Sequence, residues 1–324
     1  MKNPPVPAYA EFETHRTMIR DRVRTDAFRK ALDEVVRPGD LVLDVGAGTG
    51  ILSVLAARAG AAKVYAVEQT SIARLAEELA AANGFADTVE VIERDIVEVE
   101  LPGKVDVLVS EWLGGFGIDE GMLAPVLAAR DRWLKPGGVM VPAVVVAWTA
   151  LVHDAYLAET MDFLRSRPYG LDLDDLVEKT VNEVFYSGPV RHLTTDDLRS
   201  EPAALWTTDA ARISIEEARA PHEADVRLPV RSPGIANALG LWFSAELAPG
   251  VTLSVAPGDP PTHWGMTTAP LREPVELDAG SVARVRVRTK PARALGTWSS
   301  WAVQIRDGVW EEHDEQSVWT ELED

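Results

Sequence analysis

The sequence has no cysteine in 324 residues. Disulfides, thiolate metal sites and a cysteine nucleophile are therefore excluded, and the absence fits a reducing compartment. Aromatic residues are few, at 7%. No apolar run reaches the ~18–20 residues of a membrane span. The most apolar stretch, VMVPAVVVAWTALV (139–152), is short and carries a proline. The N-terminal MKNPPVPAYAEFETHRTM has no apolar h-region, so no signal peptide is expected and the chain is read as cytoplasmic. Positive charge is also short: 32 Lys and Arg stand against 51 Asp and Glu, for a net charge of -19. That excludes unassisted binding of nucleic acid or an anionic membrane over most of the surface. It is first of all what solubility requires, and it is compatible with a cationic substrate.

What is present is an ordinary globular balance, 46% hydrophobic and 26% charged. At roughly 100–200 residues per domain, the length predicts about two domains. Between Asp40 and Pro142, β-branched runs alternate with helical stretches. The runs are LVLDV (41–45), VYAVE (64–68), VEVIE (89–93) and VDVLVSE (105–111); a last helix ending at Lys135 leads through Gly137 and Gly138 to VMVP. This order predicts a doubly wound parallel sheet with helices on both faces. After Pro142 the runs shorten and turn signals such as SPG, APG and DPP separate them, which predicts an antiparallel β domain, a barrel or sandwich. The domains are thus read as 1–142 and 143–324. A helical insert at about 154–184 interrupts the second, with two helices around Pro168–Gly170. The acidic segment from Glu311 is expected to fray.

Asp44-Val45-Gly46-Ala47-Gly48-Thr49-Gly50 follows a strand and opens a helix. Glycines there let backbone approach a ligand closely, and helix N–H groups point into the site. The third glycine comes one residue earlier than in a dinucleotide fingerprint, and Asp44 adds a carboxylate where a pyrophosphate would lie. Both features argue against NAD and for a cationic ligand without phosphate. Glu68 closes the second strand, where a carboxylate can accept both ribose hydroxyls of an adenosine. Asp95, just after the third strand, is placed to approach the adenine.

Glu111 and Glu120 lie in SEWLGGFGIDEGML, nine positions apart. That spacing puts them on opposite sides of a helix or a strand, so they converge only in a loop, which Gly114, Gly115 and Gly117 permit. Two convergent carboxylates need a cation between them, and a guanidinium fork matches them well. The spacing alone fits a solvated acidic loop equally well.

VLDVGAGTGILS, VYAVE, SEWLGGFGIDEGML and Thr262-His263-Trp264, in that order, resemble the protein arginine methyltransferase family, as do YAEFETHRTMIRDRVRT near the N-terminus and PYGLDLDDL within the insert. The resemblance implies S-adenosylmethionine as cofactor, a methyltransferase domain followed by a β-barrel, and a homodimer formed through the 154–184 arm. Gly46, Gly48 and Gly50 would face the cofactor, Glu68 its ribose, Asp95 and Ile96 its adenine side, and Arg24 its methionine carboxylate. Glu111 and Glu120 would clamp the substrate guanidinium. His263 would bond Asp21 and join the β domain to the N-terminal helices, acting first in orientation and second in proton relay. Met18 and Met122 would lie beside the transferred methyl. No metal is implied.

The substrate implied is arginine in a protein or peptide, giving monomethylarginine and then asymmetric dimethylarginine. Free arginine or another small guanidine is the alternative, and a catalytically idle binding subunit is a second one. Three departures bear on the choice. Only Tyr9 matches two tyrosine positions of the family's first helix, Gly115 stands where the family usually has tyrosine, and Asp119 replaces another tyrosine. The last two predict an opened, more acidic substrate side.

Overall fold

The computed structural model describes residues 11–118, 121–186, 192–291, 297–306 and 308–319. Two helices lead, α1 (Phe12–Arg20) and α2 (Arg22–Val35). Asp21 separates them in extended geometry and caps α2, its side chain accepting from the Arg24 N–H at 2.9 Å. Then come β1 (Leu41–Val45), α3 (Ile51–Ala59), β2 (Lys63–Glu68), α4 (Ala73–Ala82), β3 (Val89–Glu93), β4 (Val105–Val109), α5 (Leu123–Trp133) and β5 (Leu134–Val141). The five strands are parallel, in the order β3-β2-β1-β4-β5. Val42, Leu43, Asp44 and Val45 are all buried, as a strand covered on both faces requires. The order reverses between β1 and β4, so a crevice opens beyond their C-terminal ends. The helix expected to reach Lys135 stops at Trp133, where β5 begins.

The rest is mainly antiparallel: β6 (Val144–Val152), α6 (Ala155–Arg165), α7 (Asp174–Thr180), β7 (Phe185–Tyr186), β8 (Ala203–Asp209), α8 (Ile215–Arg219), β9 (His222–Pro229), β10 (Gly234–Ala248), β11 (Val251–Ser254), β12 (Thr267–Leu277), β13 (Val282–Pro291), β14 (Thr297–Ile305), β15 (Glu311–Asp314) and α9 (Gln316–Trp319). A six-stranded sheet runs β7-β12-β10-β6-β8 with β11 beside β10, and a four-stranded sheet runs β15-β14-β13-β9. Leu228, Leu239, Leu241, Val285 and Trp301 fill the core between them, giving the β-barrel-like domain expected. On the outer face of β13, Arg286 and Arg288 pair across the ladder with Asp225 and Glu223 at 3.1 and 2.8 Å.

The insert contains two helices, α6 and α7, around a 3-10 turn at Pro168–Gly170. Tyr156, Phe163, Tyr169, Leu171 and Leu176 are exposed along it. The described part of the acidic segment, 311–319, differs from expectation, and 320–324 lie outside the described residues. Glu311–Asp314 form β15, and the buried Glu315 accepts from the N–H groups of Val184 (3.1 Å) and Ser299 (2.7 Å). Two backbone donors brought to one carboxylate explain why so acidic a segment packs.

Candidate active site

A cavity of about 680 Å³ opens beyond the C-terminal ends of β1 and β2. Met18, Arg24, Gly46, Gly48, Glu68, Asp95, Ile96, Glu111 and Met122 all line it. They come from α1, α2, three strand ends and the loop before α5. Glu120 and Asp119 lie outside the described residues, as does Tyr9.

The glycine loop holds its shape through Glu68. Oε2 accepts from the Gly48 N–H at 2.9 Å and Oε1 from the Thr70 N–H at 2.8 Å. Each carboxylate oxygen can accept a further bond, so Glu68 retains capacity for a vicinal diol. Gly48 has φ +55°, and a Cβ there would meet the His15 ring at 2.7 Å. His15 is thus a wall residue that sequence reasoning missed. The signal was available, because His15, Met18 and Ile19 fall on one helical face and all three line the cavity.

Arg24 is 4% exposed. Its Nε and Nη2 both donate to Glu111 Oε2, at 3.3 and 3.2 Å. Nη1 is buried with no hydrogen-bond partner. An orphaned guanidinium nitrogen in a cavity wall is the group an incoming carboxylate would satisfy. Glu111 is held from a second side, its Oε1 accepting from the Leu113 N–H at 2.9 Å.

Four residues expected at the site lie elsewhere. Asp44 is fully buried behind the loop, with the Ser53 hydroxyl donating to its Oδ2 at 2.6 Å. Burial is the main cause that pushes its carboxyl up to about 7, the Ser53 bond opposing it. A carboxyl that deep and that easily protonated does not present a charge to the ligand, so its argument against pyrophosphate weakens. Gly50 faces α4 instead of the cavity. It has φ +76°, and a Cβ there would lie 2.8 Å from Ala76 Cβ. Asp21 and His263 are likewise outside the cavity wall. Asp21 Oδ2 takes both the backbone N–H and Nδ1 of His263 at 2.8 Å. Burial pushes Asp21 up, but the His263 side-chain bond and the two backbone bonds outweigh it and hold the carboxyl below its ordinary value.

Gly115 is not an opening. A Cβ there would lie 2.6 Å from Thr267 Oγ1 and 2.8 Å from the Tyr186 ring. The aromatic absent at 115 leaves room that a ring from β7 takes.

A crevice at a switch point, a glycine loop bonded to a strand-end carboxylate and an orphaned arginine nitrogen suit a nucleoside ligand that carries a carboxylate, in a doubly wound fold. Comparison with known proteins places the chain among the methyltransferases. Residues 25–141 match the family model for ribosomal protein L11 methyltransferase, and residues 145–301 match that for the arginine methyltransferase oligomerization subdomain. Protein arginine N-methyltransferase 6 of Xenopus laevis is 34% identical over 278 residues, covering 83% of this chain and 81% of that protein. In the Trypanosoma brucei PRMT1 enzyme-prozyme heterotetrameric complex with AdoHcy, the matching chain superposes with TM-score 0.85 at 28% identity, over 95% of this chain and 99% of that one. Arabidopsis thaliana protein arginine methyltransferase 10 gives TM-score 0.81 at 26% identity, over 95% and 99%. The chain belongs to the protein arginine N-methyltransferase family.

Proposed function

We propose that this chain transfers a methyl group from S-adenosylmethionine to a guanidino nitrogen of arginine in a protein or peptide. The Arg24–Glu111 pair carries the reading. It sets an unsatisfied cationic donor and a carboxylate side by side in one cavity, the two groups needed for an amino-acid carboxylate and a guanidinium. Bound S-adenosylmethionine supplies a methyl group made electrophilic by a sulfonium.

This chain's residues do the positioning. Arg24 Nη1 binds the methionine carboxylate, Glu68 accepts the ribose hydroxyls, and Asp95 with Ile96 borders the adenine. Guanidinium is a poor nucleophile because its lone pairs are delocalised. Glu111, with Glu120 as second carboxylate, aligns one terminal nitrogen and draws positive charge away from it. Alignment of this kind supplies much of a rate enhancement. The proton leaves after transfer, so no strong base is required. Asp21 and His263 act as positioning residues, fixing α2 and with it Arg24, whose N–H bonds the same Asp21 carboxylate.

In this reading residues 1–142 bind the cofactor and 143–324 present the substrate. The apolar residues exposed along 154–184 dock on a second copy, giving a homodimer. Met18 and Met122 line the methyl end of the cavity, and flexible thioethers leave space for a methylated nitrogen, so monomethylarginine forms first and asymmetric dimethylarginine follows. Glu111 and Arg24, both placed for chemistry, weigh against an idle binding subunit. Among the described residues no helix is long and apolar enough to cross a membrane. Mass spectrometry of arginine-rich peptides after incubation with labelled S-adenosylmethionine tests the reading: a mass gain on arginine is expected, and transfer to no arginine overturns it.

A further inference from the structure

The cavity does not end at the glycine loop. Its other wall is supplied by the β domain, from α8, the first residue of β9, and the β13–β14 end of the four-stranded sheet. Along β13, Val285, Val287 and Thr289 are alternate residues and all are buried on the inner face. The same alternation in β9 puts His222 in line with Ala224 and Val226. Thr289 and His222 are register partners. An apolar stripe on two neighbouring strands therefore turns polar where the sheet reaches the cavity.

An inward hydroxyl without a partner costs free energy. Thr289 is 1% exposed, and among the described residues neither its Oγ1 nor that of Thr297 has a hydrogen-bond partner. Both residues line the cavity. Arg219, at the C-terminal end of α8, lines it too and makes no ion pair among the described residues. The His222 ring lies against Trp206, with centroids 5.6 Å apart and planes tilted by 50°. Trp206 in turn packs on Phe116 at 6.3 Å, so this wall is tied to the loop that begins at Glu111.

We infer that Arg219, Thr289 and Thr297 form a second subsite that binds a carboxylate of the substrate, in the same cavity where Glu111 meets the guanidinium; this rests on the reading of Glu111 given above. The two threonine hydroxyls lack acceptors among the described residues and the exposed Arg219 guanidinium makes no ion pair there; an oxyanion accepts from groups of both kinds. A cation facing the path of a cationic substrate repels it unless that substrate carries a compensating negative group, so Arg219 also discriminates. The carboxylate has two sources. It is the α-carboxylate of free or C-terminal arginine, or the side chain of an Asp or Glu near the arginine of a peptide.

Calorimetry on the full chain saturated with S-adenosylhomocysteine tests this with two pairs of ligands. The first is arginine against agmatine, which has the same guanidine and no carboxylate. The second is an amidated peptide with glutamate beside its arginine against the same peptide with glutamine there. In at least one pair the carboxylate-bearing member binds roughly tenfold or more tightly, and the pair showing the preference identifies the source. In Arg219→Gln and in Thr289→Val the two affinities of that pair converge. The exposed position of Arg219 keeps its variant folded should the threonine variant fail. Equal affinities within both pairs, or a preference that survives both substitutions, overturn the inference. Methyl transfer to the same four compounds is followed in parallel. A preference seen without any transfer supports the subsite while failing the reading of Glu111.

Discussion

Arg24 and Glu111 meet across 87 positions of sequence, with Nε and Nη2 of the arginine donating to one carboxylate oxygen. Their side chains are 5% and 11% exposed. Removing one partner of so buried a pair leaves the other charge uncompensated, which costs about 3–5 kcal/mol. The pair also joins two tasks. One end of Arg24 fixes Glu111, and the other, Nη1, is unsatisfied.

Glu111→Gln therefore removes the charge that aligns the guanidinium. Turnover should fall by about two to four decades, while S-adenosylhomocysteine affinity changes far less, because the amide oxygen can still accept from Arg24. Filter assays with labelled cofactor and calorimetry separate the two effects. Turnover near that of the unmodified chain would sink the proposed role.

Arg24→Met keeps the side-chain length and deletes every donor. S-adenosylhomocysteine binding should weaken by about 1.5–3 kcal/mol, the range for hydrogen bonds to charged groups. Calorimetry reads it directly. An unaltered affinity would mean that Nη1 does not hold the methionine carboxylate.

Much of this site was legible because its parts are local. The glycine loop follows β1 and opens α3 within a few residues, so turn chemistry exposed it without tertiary knowledge. The Asp21–His263 contact, 242 positions apart, came only through resemblance to a family. Depth was not legible. Nothing in VLDVGAGTG says that Asp44 lies behind the loop or that Gly50 faces Ala76, since both depend on how α3 and α4 pack. Gly115 misled for the same reason: a residue from β7 fills the space that its missing side chain leaves. Thr289 and His222 carried no local signal of a site; only the assembled cavity shows that inward on β13 and β9 means toward a ligand there.

Two buried carboxyls give opposite pH dependences. Asp21 has a folded pKa below its ordinary 3.8, so its contribution to stability is complete above that value and is lost as pH falls through the folded pKa. Asp44 is raised from 3.8 to about 7. Between these values the unfolded chain binds fewer protons at this position, so stability is lost as pH rises from 3.8 toward 7. Asp44→Asn should flatten stability between about pH 4 and about pH 7, and Asp21→Asn should flatten it below about pH 4. Urea unfolding across that range checks both. A slope unchanged by Asp44→Asn would show that its proton uptake does not differ between folded and unfolded chain.

The last prediction concerns assembly. Tyr169 is 88% exposed, Leu171 and Tyr156 are each 57% exposed, and Phe163 stacks edge-on against Tyr169 at 6.3 Å. Single exposed apolar residues need no explanation, but several of them along one helical insert are what docking on a second copy would require. The insert is tied to the β domain at more than one point, Arg165 at the C-terminal end of α6 donating to the Arg272 carbonyl at 2.7 Å and the Val184 N–H after α7 donating to Glu315, so the exposed apolar side chains are held on a fixed support. Phe163→Asp combined with Tyr169→Asp should place charge in the interface and shift the chain from dimer to monomer. Both residues lie outside the cavity wall, so a loss of activity that followed dissociation would report support from the neighbouring copy. Light scattering at micromolar concentration decides the first point. An unmodified chain that is monomeric there would refute the arm, and a double variant that stays dimeric would move the interface to another face.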